Sequence, residues 1–380
     1  MFSSRLNWSQ HPNRLSILLE EKRRARAPIL DLTESNPTRV GLAYPQAEIL
    51  AALAEPSGLR YEPTPRGLDS AREAVARHYH QVKLEDVLLT ASTSEAYAFL
   101  FKLLTNPGDE ILAPRPSYPL FEFLAGLESV QIRQYPLRYD GVWHLDFDAL
   151  EKAITPRTRG IVVVNPNNPT GSFLKRAELA RLDSLAAANG LAILSDEVFR
   201  DYAFDEDAER ASTLVGDRQA LTFSMSGLSK IAGLPQMKLG WIVASGPNRD
   251  KALDALELIA DTYLSVATPV QLALPRLLEV SGSILQEIRQ RTAANLARLR
   301  AAMQGSAATL LRTEGGWYAV LQVPRTRTEE EWTLKLLDES GVLVQPGFFF
   351  DFESEAFLVL SLLPEAATFA EGVSRLRSSL

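Results

Sequence analysis

Gly160-Ile-Val-Val-Val-Asn-Pro-Asn-Asn-Pro-Thr-Gly171 is the stretch on which the fold turns. Its first half, Gly160–Val164, is a short apolar run rich in β-branched residues, as expected of a strand buried on both faces. Its second half is Asn, Pro, Thr and Gly, a composition that carries strands into turns. Residues Lys175 to Asn189 then show a helical pattern, closed by Gly190 where a left-handed residue ends a helix. A second apolar run, Leu191–Ser195, follows at once and leads into Ser195-Asp196-Glu197. Strand, helix and strand in so short a span predict a parallel βαβ unit, because parallel neighbours need a helical crossover. Ligands of such sheets bind outside the carboxyl ends of the strands. The asparagine turn and Asp196 both fall there.

The same alternation extends in both directions, from about Tyr61 to Ser245. Leu68, Ala71, Val75 and Tyr79 recur at helical spacing after Gly67, with Asp69 or Ser70 as the expected cap. Ala96, Phe99, Leu100, Leu103 and Leu104 mark another helix, stopped by Asn106-Pro-Gly-Asp109. Further strands are expected at Glu110–Ala113, Ala220–Phe223 and Leu239–Ala244. Residues 276–380 read differently. A long polar helix, Ser283 to Met303, precedes mixed strands near Trp317–Val323, Val342–Gln345 and Phe357–Leu362. The expectation is an α/β fold: a large domain over 45–275 with a mostly parallel sheet flanked by helices, and a smaller α+β domain built from 1–44 and 276–380.

Composition narrows the function. The chain has 380 residues, 46% hydrophobic and 23% charged, ordinary values for a globular protein of more than one domain. Lys+Arg 40 against Asp+Glu 47 leaves a net charge of −7, which argues against nucleic acid or an anionic membrane as the main partner. No run is apolar enough to span a bilayer, and Met1-Phe-Ser-Ser-Arg-Leu-Asn-Trp8 lacks a signal-peptide core, so a cytoplasmic location is expected. With no cysteine there is no thiolate nucleophile, disulfide or thiolate metal site. The four histidines offer only the His78/His80 pair, whose two-residue spacing on a helix points the rings apart, so no metal site is expected.

Five short segments carry the chemistry, and each alone has a bland reading. Thr90-Ala-Ser-Thr-Ser94 caps a helix, Tyr118 packs between prolines, and Asn165–Gly171 is a turn. Ser195-Asp196-Glu197 starts a helix, and Ser226-Gly-Leu-Ser-Lys230 is a loop with a solvated lysine. Their order is what matters. A hydroxyl-rich helix start, an aromatic, an asparagine turn, an aspartate at a strand end and a lysine after the next strand make one coherent set.

In that order and spacing the chain resembles the fold-type I, class I/II aminotransferases that use pyridoxal 5′-phosphate (PLP). The resemblance runs from Asp31-Leu-Thr-Glu-Ser-Asn-Pro37 to Val344-Gln-Pro-Gly347, and Asn168, Asp196 and Lys230 follow one another by 28 and 34 residues. It implies a PLP-binding large domain with a sheet of the seven-stranded type, and a homodimer. Lys230 would be the catalytic lysine, bound to the cofactor as a Schiff base and moving the substrate proton when released. Asp196 would keep the ring nitrogen protonated, since a neighbouring carboxylate favours the cation. Asn168 would donate to the ring's O3′, and Tyr118 would stack on the ring. Ser92, Thr93 and Ser94 at a helix start, with Ser229 and Lys238, would receive the phosphate. Tyr61 would reach the phosphate of the neighbouring subunit, and Tyr263–Gln271 resembles the family's interface strip.

Several positions depart from the family's pattern. Lys238 stands for an arginine, Gly227 for a serine, and Phe199 for a tyrosine that normally gives O3′ a second hydrogen bond. Ser35 stands for a glycine near the substrate. The arginine that usually holds the substrate's α-carboxylate is missing. Val359 takes its place in Phe357-Leu-Val-Leu-Ser361, and no cation lies between Lys335 and Arg375 to supply it by a shift of register. Arg39 and then Arg115 are the candidate replacements, with Ser35 nearby. A dicarboxylate needs two cationic holders, so aspartate and glutamate are expected to be poor donors. The function implied is PLP-dependent amino transfer from an amine or amino acid to a 2-oxo acid. A PLP-dependent lyase or decarboxylase would keep the same lysine, aspartate and asparagine. A PLP-binding regulator would need a DNA-binding appendage, for which the chain has little room.

Overall fold

The computed structural model describes residues 2–6, 8, 11–79 and 81–380. Its main sheet has eight strands in the spatial order Val87–Thr90, Gly240–Ser245, Thr222–Gly227, Ala192–Asp196, Thr158–Val164, Glu110–Arg115, Gln131–Tyr139 and Trp143–Leu145. The five strands from Thr222–Gly227 to Gln131–Tyr139 are mutually parallel. Gly240–Ser245 runs antiparallel to both neighbours, and Trp143–Leu145 is a short antiparallel hairpin extension. That extension accounts for an eighth strand where seven were expected. The central strands Ala192–Asp196 and Thr222–Gly227 are buried at every position, because helices cover both faces.

Helix Arg176–Ala188 fills the predicted crossover, and Gly190 ends it at φ +64°. Helix Thr93–Leu104 begins at Ser92, whose side chain accepts the Glu95 N–H at 3.1 Å. Its apolar side packs with Phe121, Leu253 and Leu256 on one face of the sheet. The opposite face is covered by Leu179, Leu182 and Leu150.

Three local expectations shift. Helix Asp69–His78 is preceded by Leu68, and neither Asp69 nor Ser70 caps it; the Leu68 N–H is received instead by Gln271 at 2.7 Å. The strand expected at Ala220–Phe223 runs over Thr222–Gly227. Asp183 claims the Gln219 and Ala220 N–H groups, and the sheet then continues through buried Ser224 and Ser226, which do not read as strand residues. Val342–Gln345 is two strands in two sheets: Val342–Leu343 pairs with Leu30–Asp31, and Gln345–Pro346 with Phe357–Ser361. His80 lies outside the described residues; His78 faces Asp201 at 3.6 Å.

The C-terminal region has its own antiparallel sheet, ordered Thr309–Leu310, Tyr318–Gln322, Phe357–Ser361 and Gln345–Pro346. Helices Gly282–Met303, Glu329–Ser340 and Ala366–Ser379 pack on it through Leu299, Leu336 and Phe369. The strand at Leu30–Asp31 adds the N-terminal segment to this region.

Candidate active site

Val164, Asp196 and Met225 are register partners at the carboxyl ends of three adjacent parallel strands. Beyond those ends the chain delivers Asn168, Asp196 and Lys230 to one cavity of about 180 Å³. Ser35, Ser92, Thr93, Tyr118, Phe199 and Ser229 share its wall. Val164, Val198, Gly227, Leu239 and Tyr318 complete it, residues to which sequence reading gave no place in the wall. Tyr318 comes from the C-terminal sheet, which closes the cavity from above the large sheet.

Asp196 is buried, with its Oδ1 accepting the Val198 N–H at 3.2 Å and its Oδ2 the Tyr97 hydroxyl at 3.3 Å. Burial pushes its carboxyl up to about 6, helped by Glu197 and opposed by those two donors and by Lys230. Burial also pulls the Lys230 amine down to about 8, with Asp196 opposing. The two groups answer each other: an acid that wants a cation and an amine that gives up its proton readily. Tyr118 is pushed up to about 12 by burial and by Asp196, so its phenol stays protonated.

Glu197 has a different task. It accepts from the Ser195 hydroxyl at 3.0 Å, the Thr213 hydroxyl at 2.7 Å and the Leu214 N–H at 2.8 Å, fixing the strand end that carries Asp196. Tyr202 donates to the Lys230 carbonyl oxygen at 2.5 Å and so braces the short helix Leu228–Ile231.

At the other end of the cavity, Ser92 and Thr93 present the start of helix Thr93–Leu104, where free N–H groups and the positive dipole end favour an anion. Gly227 lies beside it in close backbone contact. A Cβ there would sit 2.8 Å from the Leu239 carbonyl oxygen and 2.9 Å from Gly240 Cα, which accounts for glycine in place of serine.

The family description "Aminotransferase class I and II" matches residues 28–376. The chain belongs to that family. Among its relatives, the Escherichia coli K12 glutamate-pyruvate aminotransferase AlaA is 33% identical over 254 residues. That match covers 65% of this chain and 62% of the relative. The Mus musculus tyrosine aminotransferase is 29% identical over 359 residues, covering 89% and 78%. A crystal structure of an Escherichia coli aminotransferase superposes with a TM-score of 0.87 at 26% identity, covering 100% of this chain and 97% of that one.

Pyridoxal 5′-phosphate is the cofactor of the aminotransferase class I and II family, and this cavity fits it. The Asn168 amide is buried in the cavity wall, where its N–H can donate to a ring oxygen. Asp196 is a buried carboxylate in the cavity wall, placed to pair with a protonated ring nitrogen. The helix start offers donors for a phosphate some way from an amine poised to lose its proton.

Five residues expected in an aminotransferase site lie elsewhere. Ser94 is in the first helical turn, turned out of the wall. Lys238 is exposed, at φ +50° just before Leu239. Tyr61 is 79% exposed and lines a separate pocket with Leu264 and Thr268, a position from which it can act only outside its own cavity. Arg39 is exposed at the end of the turn Pro37–Arg39. Arg115 points to Glu353 and Gln134, so its charge is already engaged. Val359 is fully buried, paired with Val320 and Gln345 in the C-terminal sheet.

Proposed function

We propose that this chain is a PLP-dependent aminotransferase that moves an amino group from an amine donor to a 2-oxo acid by two half-reactions. The pairing of Lys230 and Asp196 within one cavity carries this reading. When bound, the cofactor supplies an electron-withdrawing ring that accepts the electron pair released at the substrate's Cα.

The chain supplies the rest. Lys230 holds the cofactor and, once displaced, takes the proton from the substrate's Cα; an amine with its affinity for protons lowered can do so near neutral pH. Asp196 holds a positive ring nitrogen by ion pairing, and Tyr97 and Val198 keep that carboxylate in place. Asn168 donates to the ring oxygen, Tyr118 covers the ring and Phe199 bounds it. Ser92, Thr93 and Ser229 receive the phosphate. The large domain over 45–275 provides the cofactor site, and the small one, 1–44 with 276–380, provides Ser35 and Tyr318 to cover it.

Aspartate and glutamate are proposed to be poor donors. Among the described residues, Lys230 is the only cation lining the cavity, and it is already occupied. The relative named for glutamate and pyruvate makes glutamate the donor that separates the alternatives most sharply. The proposed assembly is a cytoplasmic homodimer. Tyr61 and Leu264, 79% and 37% exposed, line one pocket with Val266, an apolar surface suited to a second copy.

Lys230→Ala tests the reading. The variant should fold, fail to retain a borohydride-reducible cofactor, and lose turnover by at least about 1000-fold. Retention of a reducible cofactor by Lys230→Ala would overturn it.

A further inference from the structure

We propose that the indole of Trp317, with the ring of Phe199, is a positioning surface that holds the Lys230 ammonium whenever that amine is not bonded to another group. The proposal deepens the role assigned to Lys230 above and rests on it. Lys230 Nζ lies 4.7 Å from the centre of the Trp317 ring and 5.5 Å from that of Phe199. Both distances are within the reach of a cation–π attraction, which strengthens as water is removed. The two rings meet at 65° with centres 5.3 Å apart, so they form a corner around the amine and not a flat wall. Trp317 and Phe199 are 0% and 3% exposed, so little water competes for the cation.

The corner is tied to the lysine from a second direction. Tyr202 packs edge-on against Trp317 with ring centres 5.2 Å apart, and its hydroxyl donates to the Lys230 carbonyl oxygen at 2.5 Å. The same tyrosine therefore fixes both the indole and the backbone that carries the amine. Trp317 itself does not line the cavity. It stands behind the lysine, where a substrate does not reach, and acts through Lys230 alone.

A released lysine must stay near the reacting carbon and alternate between amine and ammonium. A carboxylate partner would hold the ammonium strongly and make the amine a poor base. Aromatic faces favour the ammonium more weakly, without a hydrogen bond that must be broken. Among the described residues, Asp196 is the one carboxylate in the cavity wall. Tyr118 and Tyr318 line the wall with it, Tyr97 binds Asp196, and Tyr202 sits at the Lys230 carbonyl. All four phenols are held above their ordinary range by burial. Asp196 titrates near 6, so Lys230 is the group in this set that changes charge between about pH 7 and 10.

The test reads Lys230 itself and needs no turnover. The full-length protein, freed of cofactor, is reductively methylated with formaldehyde and cyanoborohydride at a series of pH values. The Lys230 peptide is then quantified by mass spectrometry. A ring face stabilises the ammonium, so Trp317→Leu should lower the labelling midpoint by about half to one pH unit, a threefold to tenfold change in the protonation equilibrium. Trp317→Phe, which restores a ring, should recover most of the shift, and Phe199→Leu should shift it in the same direction by less. Midpoints that stay put or rise in Trp317→Leu overturn the proposal. If Trp317→Leu does not fold, an unchanged midpoint in Phe199→Leu overturns it instead. An enzyme that transaminates normally yet shows no shift would sink this inference alone. A shift in a protein that carries no cofactor on Lys230 would sink the functional reading and leave the aromatic corner standing.

Discussion

Asp196 and Lys230 show what a buried site costs before its ligand arrives. The Asp196 carboxyl binds its proton more tightly in the folded chain, near 6, than in the unfolded one, near about 3.9. The stability this confers is full below about pH 4 and is lost as pH rises through 6, a change of about 3 kcal/mol. Lys230 runs the other way: its amine sheds its proton near 8 when folded and near about 10.4 when unfolded, so stability grows as pH rises between those values. Urea denaturation of the cofactor-free chain should therefore show a fall between pH 4 and 6 that is smaller by about 3 kcal/mol in Asp196→Asn. An equal fall in the variant would place the titration on another group. At this scale the sequence was most informative for residues that belong to short motifs at strand ends, such as Asn168, Asp196 and Lys230. It was blind to Tyr97, Tyr318 and Trp317, which look like ordinary core aromatics until distant strands bring them to the site.

Elements were legible where burial leaves a uniform pattern. Thr158–Val164 and helix Arg176–Ala188 lie within two residues of their expected bounds. The strand Gln131–Tyr139, next to the sheet's edge, was not foreseen, since it alternates exposed and half-buried positions over its first half and contains Pro136. Strand Thr222–Gly227 was misplaced because its buried serines make it look like a loop. Two substitutions test the elements that frame the anion end. Ser92→Ala removes the cap of helix Thr93–Leu104 and should cost about 1 kcal/mol in denaturant unfolding. Gly227→Ser forces a Cβ against backbone atoms of Leu239 and Gly240, which cannot move aside as a flexible side chain would. A loss of about 1–3 kcal/mol is expected, with the denaturant slope unchanged. A neutral Gly227→Ser would show that the two strand ends are looser than drawn.

Across the whole molecule, the C-terminal region is held to the edge of the large sheet by polar ties. Glu353 pairs with Arg115 and Arg138, Asp351 accepts from Gln134 at 2.9 Å, and the Ser117 N–H donates to Phe350 at 2.9 Å. These contacts explain why Arg115 is not free for a substrate, a fact that no sequence spacing could reveal. Assembly is the larger consequence: with Tyr61 exposed and outside its own cavity, the active particle should sediment as a dimer, and an active monomer at assay concentration would contradict that. The central claim, amino transfer on Lys230, is tested most directly by a half-reaction. The PLP-loaded protein is given a single apolar amino acid and no acceptor, and the 2-oxo acid released is counted per subunit. One equivalent, with no carbon dioxide or ammonia, and capacity restored by adding a 2-oxo acid, is the predicted result. Continuous release of ammonia or carbon dioxide beyond one equivalent would contradict it.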